Sequence, residues 1–371
     1  MVGRAVRKAV DGKMGGSAHP GAPVAAAIGL DVGGGAVKAG AVLLDGRGRL
    51  MPTLTEVRVS HHLEADGSGL SALCVHTARQ LFQALEASWP GVPVPWGVSA
   101  AAWIDPRNGT AVFSPHLMGW RQRPLPHDLG AALSEATGLP AAAQTAARAS
   151  RGTVPLPAVV NDADAAAWAE ARLGDSGIPP ADPGLVDRPD RMVMVAIGTG
   201  IGGALVQDGV VDVGAHGMAG EFGHMTVDPS GLPCPCGNTG CWELLVSAEA
   251  LAARAGRPSA RPVLDDALRG DPRAVRAVQE TGRWLGRGLA TLAAVLDPSR
   301  FVIGGGVGVA GDLLLEPARA ELARHIPGGR RRPIPSVMVA SLGNRAGWLG
   351  AAGVALERAG WSVRGAAASG Q

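Results

Sequence analysis

One histidine and three cysteines crowd a single stretch of the chain. Glu221-Phe222-Gly223-His224 is followed by Cys234-Pro235-Cys236 and then by Gly240-Cys241-Trp242-Glu243. Zinc takes four nitrogen or sulfur ligands in a tetrahedron, and His224, Cys234, Cys236 and Cys241 supply all four. A site filled in this way has no position left for water, so the metal would be structural. It would fix the loop, and with it Glu221 and Glu243 on either side. Acids held this way can accept hydrogen bonds from ligand hydroxyls with little ordering cost. The plain alternative, a core histidine beside reduced cysteines, fits the spacing less well. Cys74 stands apart and reads as a small buried hydrophobe. Clustered cysteines of this kind point to a reducing compartment.

Glycine-rich turns carry a second chemistry. Gly33-Gly34-Gly35 follows the apolar run Ala25 to Asp31, and Gly198-Thr199-Gly200-Ile201-Gly202-Gly203 follows Met192 to Ile197. A third turn, Gly304-Gly305-Gly306, follows Phe301 to Ile303. Phosphate oxygens need backbone N–H donors at close range, and glycine clears the approach. Thr199 adds a hydroxyl donor. In a chain with 55 glycines one such turn is more simply a hairpin. Three of them after buried strands point to nucleotide phosphates.

Asn161-Asp162 ends a short strand between the two hairpins. A carboxylate there could take the proton from a hydroxyl attacking a phosphate, although an Asn-Asp pair before a helix is also an ordinary N-cap.

The elements that must hold these residues follow from hydropathy. Ala25 to Asp31 and Val37 to Leu44 form a strand hairpin around the first glycine turn. No helix follows that turn, which excludes a dinucleotide fingerprint or a P-loop. Helices are expected over Leu70 to Ala87 and Pro124 to Gly138, and a strand over Val92 to Ile104. A boundary at Thr153 to Pro157 leads into a strand Ala158 to Val160 and the alanine-rich helix Ala163 to Arg172. Gly174 to Arg191 reads as a loop. The theme then returns as Met192 to Ile197, the glycine turn, and Ala204 to Val211. Two such units suggest a duplicated architecture with two hairpins facing one cleft. Helices Glu249 to Ala255, Ala274 to Leu296, Leu313 to His325 and Gly347 to Glu357 complete the chain, with strands at Phe301 to Ile303 and Ser336 to Ser341.

Composition bounds the partners. Hydrophobic residues make up 46% and charged residues 18% of 371, which is globular. A net charge of +2 offers no clustered basic surface for nucleic acid or anionic membrane. No apolar stretch is long enough for a membrane span, and Met1 to Pro23 lacks the apolar run of a secretory signal.

These motifs resemble the ROK family (repressors, open reading frames and kinases), above all its actinobacterial glucokinases, from about Ile28 to Glu357. The Glu221-x-x-His224 and Cys234-x-Cys236-x4-Cys241-Trp242-Glu243 elements are a strong signature. Asn161-Asp162-Ala163-Asp164-Ala165-Ala166-Ala167-Trp168 and Gly198 to Gly203 match further family segments. The resemblance implies an actin-like ATPase (ribonuclease H-like, duplicated) α/β fold with two domains flanking a cleft. The expected division is a disordered tail 1–24, an N-terminal domain 25–157 onto which helix 347–360 packs, a C-terminal domain 158–346 with zinc loop 221–243, and a disordered tail 361–371.

It also implies a cytoplasmic, ATP- and Mg²⁺-dependent hexose kinase forming homodimers or homotetramers. Asp162 would be the general base toward the sugar 6-hydroxyl. Asn161, Glu221, His224 and Glu243 would hold the other hydroxyls, with one ring nitrogen of His224 on zinc. Asp31 would face the phosphates and Mg²⁺, and Gly304 to Gly306 would pass beneath the adenosine.

Several positions depart from the family pattern. Gly35 replaces a threonine and so removes a hydroxyl donor. Ala36 replaces a residue often basic, for which Lys38 can substitute. Ala102 replaces a glycine, His116 an asparagine that contacts sugar, and Asp164 an asparagine close in sequence to Asp162. A sugar-binding sensor with weakened catalysis, or a kinase using polyphosphate, are the competing functions. A DNA-binding repressor would need a helix-turn-helix domain before Asp31, and the short Gly/Ala-rich segment there does not read as one.

Overall fold

The computed structural model describes residues 22–60, 69–114, 117–139, 154–174 and 190–364. Most of the expected N-terminal tail, His116 and most of the expected loop Gly174 to Arg191 lie outside these residues. The chain divides into two compact units of mixed α/β structure. One holds residues up to 173, 215–218 and 345 onward, and the other holds 174–214 and 219–344.

The first unit is built on a five-stranded sheet of order β3-β2-β1-β4-β7. Its strands are β1 (Ala25–Val32), β2 (Ala36–Leu44), β3 (Leu50–Ser60), β4 (Trp96–Ala100) and β7 (Ala158–Asn161); β5 (Trp103–Ile104) and β6 (Ala111–Phe113) form a separate small hairpin. β1, β2 and β3 run antiparallel, while β1, β4 and β7 run parallel. Every residue of β1 is buried, as befits a strand covered on both faces. Ile28, Leu30 and Val32 join the core with α1 (Leu70–Ser88) and α2 (Leu125–Thr137). Side chains alternate along a strand, so Gly29 points to the other face. There the helix Ala346–Arg358 lies so close that a Cβ on Gly29 would fall 1.8 Å from the Trp348 carbonyl oxygen. That helix also packs on α3 (Asp162–Leu173), where Trp168 Nε1 donates to Glu357 Oε2 at 3.0 Å.

The second unit repeats the strand order as β10-β9-β8-β11-β12. Here β8 (Arg191–Ile197), β9 (Ile201–Gln207) and β10 (Val210–Asp212) are antiparallel, and β8, β11 (Arg300–Gly304) and β12 (Ser336–Val339) are parallel. Its helices are α4 (Glu243–Val246), α5 (Ala248–Ala255), α6 (Ala260–Leu268), α7 (Pro272–Leu296) and α8 (Asp312–His325). α7 starts where the sequence asks it to. Asp271 accepts from the Ala274 N–H at 2.8 Å, and Pro272 fills the first position.

Three expectations need correction. A domain boundary after Pro157 would put Asp162 in the second unit, but strand β7 pairs with β4 and carries Asp162 into the first. Nothing in a four-residue apolar strand says which sheet it joins. The strand expected over Val92 to Ile104 breaks after Ala100, where the chain turns and Ala102 N–H bonds back to the Ala100 carbonyl at 2.7 Å. Residues 361–364, expected as tail, are tied down: Val363 is buried and its carbonyl accepts from Arg172 at 2.7 Å. Strand β3 and helix α6 escaped the sequence reading altogether.

Candidate active site

In the first unit the parallel strands end together. Asp31 on β1 is in register with Ser99 on β4, and Ala100 with Asn161 on β7. The carboxyl edge of parallel strands is where α/β sheets place their ligand sites. Asp31, the turn Gly33 to Gly35, Ala102, Asn161 and Asp162 are thus assembled by one sheet edge.

Asp31 is held from three sides. Ser99 Oγ donates to Oδ1 at 2.8 Å, and Lys38 Nζ lies 2.9 Å from Oδ2. The carboxylate also lies against Gly347 in the first turn of the helix Ala346–Arg358, where a Cβ would come within 2.6 Å of Cγ. Sequence reasoning missed Ser99 and Gly347. A lone serine in an otherwise apolar strand was the available signal for the first; nothing local marked the second.

Asn161 caps α3. Its Oδ1 accepts from the N–H groups of Ala163 at 2.8 Å and Asp164 at 3.2 Å, while Nδ2 donates to the Ala102 carbonyl at 3.1 Å. Two positions flagged separately in the sequence are therefore joined. Asp162 Oδ1 accepts from the Ala163 N–H at 3.0 Å, which fixes the carboxylate at the helix start.

In the second unit His224 closes a 3-10 turn, Phe222–His224, and the loop beyond it folds back on itself. Val227 N–H donates to Gly240 O and Trp242 N–H to Met225 O, both at 2.9 Å. Trp242 anchors the end of this loop: it is fully buried and its Nε1 donates to the Trp284 carbonyl of α7 at 2.9 Å. The result brings one ligand atom each of His224, Cys234, Cys236 and Cys241 within 4.8 Å of one another. A zinc tetrahedron with bonds of about 2.0–2.3 Å has edges of about 3.3–3.8 Å. Cys236 Sγ to Cys241 Sγ is 3.6 Å and Cys234 Sγ to His224 Nδ1 is 3.9 Å. The donor set and spacing fit zinc. Burial pushes the Cys241 thiol up to about 12 and raises Cys234 as well, whereas the Asn238 N–H pulls Cys236 down.

The flanking acids face His224 from different directions. Glu221 Oε2 lies 3.8 Å from Nε2, and Glu243 Oε1 lies 3.4 Å from Nδ1. Glu243 Oε2 turns to the glycine turn between β8 and β9, 3.5 Å from the Ile201 N–H. Gly200 makes room for it, since a Cβ there would sit 2.6 Å from this oxygen. The third glycine turn is beside the second: Gly304 pairs with Ala196, and Val307 N–H donates to the Ile197 carbonyl at 3.1 Å. Gly305 needs its glycine, with φ at +80° and the Ile197 backbone 2.3 Å from any Cβ. Gly198 to Gly203, Glu221, His224, the cysteines, Glu243 and Gly304 to Gly306 thus share one unit.

A cluster of one histidine and three cysteines, flanked by two acids, thus lies beside a glycine turn at a strand edge. The ROK family model matches residues 28–358.

The chain belongs to the ROK family.

Among ROK proteins it is 33% identical over 353 residues to a glucokinase of Streptomyces coelicolor, covering 89% of this chain and 97% of that one. Its fold is similar to that of a ROK family glucokinase from Streptomyces griseus, solved in complex with glucose and AMPPNP. The TM-score is 0.65 at 33% identity, over 90% of this chain and 99% of that one. A ROK hexokinase from Thermus thermophilus is also similar, with a TM-score of 0.62 at 30% identity over 88% and 96% of the two chains. Among the described residues, no helix of this ROK protein is long and apolar enough to cross a membrane.

Proposed function

We propose that this chain is an ATP-dependent hexokinase-type phosphotransferase that converts glucose to glucose 6-phosphate, with Asp162 as general base. The observation that carries the reading is the double reach of Glu243. Through one oxygen it meets His224, and through the other it meets the Gly200–Ile201 turn. One carboxylate therefore ties the metal-binding side of the His224 cluster to the glycine turn at the strand edge. The likeness to a glucokinase solved with glucose and AMPPNP supports both halves.

In this reading Asp162 accepts the proton of the sugar 6-hydroxyl as that oxygen bonds to the γ-phosphorus. The bond from phosphorus to the β,γ-bridging oxygen breaks, and its electron pair leaves with ADP. Glu221, Glu243 and the Nε2 side of His224 hold other hydroxyls, and Asn161 offers its second amide hydrogen. The turns at Gly33 to Gly35 and Gly198 to Gly203 line the phosphates, with the N–H groups of Gly33 and Gly198 spent on closing the turns themselves, and Gly304 to Gly306 clears space for the adenosine. Asp31 would hold Mg²⁺, which when bound offsets charge on the phosphates. His224 Nδ1, Cys234, Cys236 and Cys241 would hold a structural zinc that keeps the flanking acids in place. The matching strand order and sense of the two sheets support a duplicated, actin-like fold.

A coupled assay across hexoses, with ATP and polyphosphate as donors, tests the proposal. Phosphorylation of glucose with ATP is the expected result. The bare turn at Gly35 favours a second reading, a sugar sensor with weakened catalysis. If glucose raises Tm but no sugar is phosphorylated by any donor, that second reading replaces the first.

A further inference from the structure

We infer that Lys38 is a phosphate contact of this chain, an ammonium that Asp31 holds ready and that binds the terminal phosphates of the donor nucleotide. The inference rests on the kinase reading above and adds a positioning residue to it. Lys38 faces Asp31 directly across the β1–β2 hairpin, and only Val32, the glycine turn, Ala36 and Val37 separate the two in sequence. Its ammonium lies 2.9 Å from Asp31 Oδ2.

Three features set this pair apart from a structural ion pair. First, Asp31 is already provided for: Ser99 Oγ donates to its other oxygen, and the first turn of the helix Ala346–Arg358 packs against it at Gly347. Second, the two members differ in exposure, the Lys38 side chain being 26% exposed against 12% for Asp31. The cation is the member that reaches toward solvent, and an ammonium carries three N–H donors of which Asp31 takes one. Third, the adjoining turn is bare. Gly33, Gly34, Gly35 and Ala36 bring no side-chain donor and no positive charge, and the Gly33 N–H already donates to the Ala36 carbonyl at 3.1 Å. A triphosphate approaching this edge meets the Asp31 carboxylate, and like charges at short range repel. Lys38 cancels that charge and leaves donors over for phosphate oxygens. It thus does at the strand what a side chain in the turn would otherwise do.

The full-length protein, Lys38→Met and Lys38→Arg are compared by calorimetric titration with ATP, with and without added Mg²⁺, in the absence of sugar. Lys38→Met should weaken ATP without added Mg²⁺ by tenfold or more. With Mg²⁺ the loss should be smaller, because a metal cation can itself pair with Asp31. Lys38→Arg should stay within about threefold of the parent, since it keeps the charge. The rise in Tm with glucose should persist in all three.

A Lys38→Met protein that loses Tm yet binds ATP as the parent does, with or without Mg²⁺, overturns the inference and leaves only a structural pair. A parent that responds to glucose but binds no nucleotide overturns the kinase reading and this inference together. Should Lys38→Met fail to fold, the Asp31→Asn/Lys38→Met double variant leaves no unpaired charge. It should still bind ATP without Mg²⁺ at least threefold more weakly than the parent, and parental affinity overturns the inference.

Discussion

Threonine at position 35 should tighten the donor nucleotide, and the structure sets the size of the effect. Gly35 does not adopt a left-handed φ, and a Cβ built on it meets nothing within 4 Å. The side chain therefore enters without strain and without moving a neighbour. A hydroxyl donating to an anionic phosphate oxygen gains about 1.5–3 kcal/mol. Fixing the side chain takes back about 0.5–1 kcal/mol. The net of about 1–2 kcal/mol corresponds to a roughly five- to thirtyfold lower KM for ATP. Stability should hold or rise, because replacing glycine narrows the unfolded ensemble.

A coupled assay at saturating glucose reads the KM for ATP of the parent, Gly35→Thr and Gly35→Val. Valine matches the shape of threonine without the hydroxyl, so the Thr–Val difference isolates the hydrogen bond. Equal KM values for the two variants would refute the reasoning, since any shared change would come from shape alone. A higher KM in both would show that the turn has no room beside bound phosphate.

Four other outcomes are expected. Asp162→Asn should lower kcat by about 10²–10⁴ while keeping Tm and the stabilisation by glucose; retained turnover would mean that another group takes the proton. Metal analysis should find one zinc per chain, lost together with several degrees of Tm in Cys236→Ser. Zinc displaces the thiol protons, and Cys234 and Cys241 hold theirs more tightly than usual. Affinity measured by chelator competition should therefore fall from pH 8 to pH 6.5, and a flat profile would argue against thiolate ligands. Gly97→Ala should cost about 2–3 kcal/mol by denaturant unfolding, because its methyl would sit 2.1 Å from the Ala351 carbonyl oxygen.

The parts of the site legible in the sequence are those written locally. His224, the three cysteines and both acids fall in one short stretch, and a metal's fixed coordination translates directly into spacing. The hairpin around Gly33 to Gly35 is equally local, whereas the pairing of Lys38 with Asp31 across it is set by the strand register. What escaped depends on contacts far apart in the chain. Ser99 reaches Asp31 only because β4 pairs with β1, and Gly347 does so across most of the sequence. Asn161 and Ala102 were singled out for separate reasons, and only the strand edge joins the amide of one to the carbonyl of the other. The boundary after Pro157 went astray for the same cause, since pairing with β4 rather than any composition shift decides where β7 belongs.

The helix Ala346–Arg358 completes the first unit although the whole of the second is encoded before it. By Asn344 the second unit's sheet and helices have all been synthesised, at a time when the glycine-bearing faces of β1 and β4 still lack their cover. The first unit must wait out the synthesis of about 170 residues, roughly 9–34 s at ordinary elongation rates. During that wait its apolar sheet is open to chaperones and to wrong partners. A nascent chain stalled before Arg345 would carry a finished second unit and an unfinished first. The unit that starts first in translation is then the last to have all its parts.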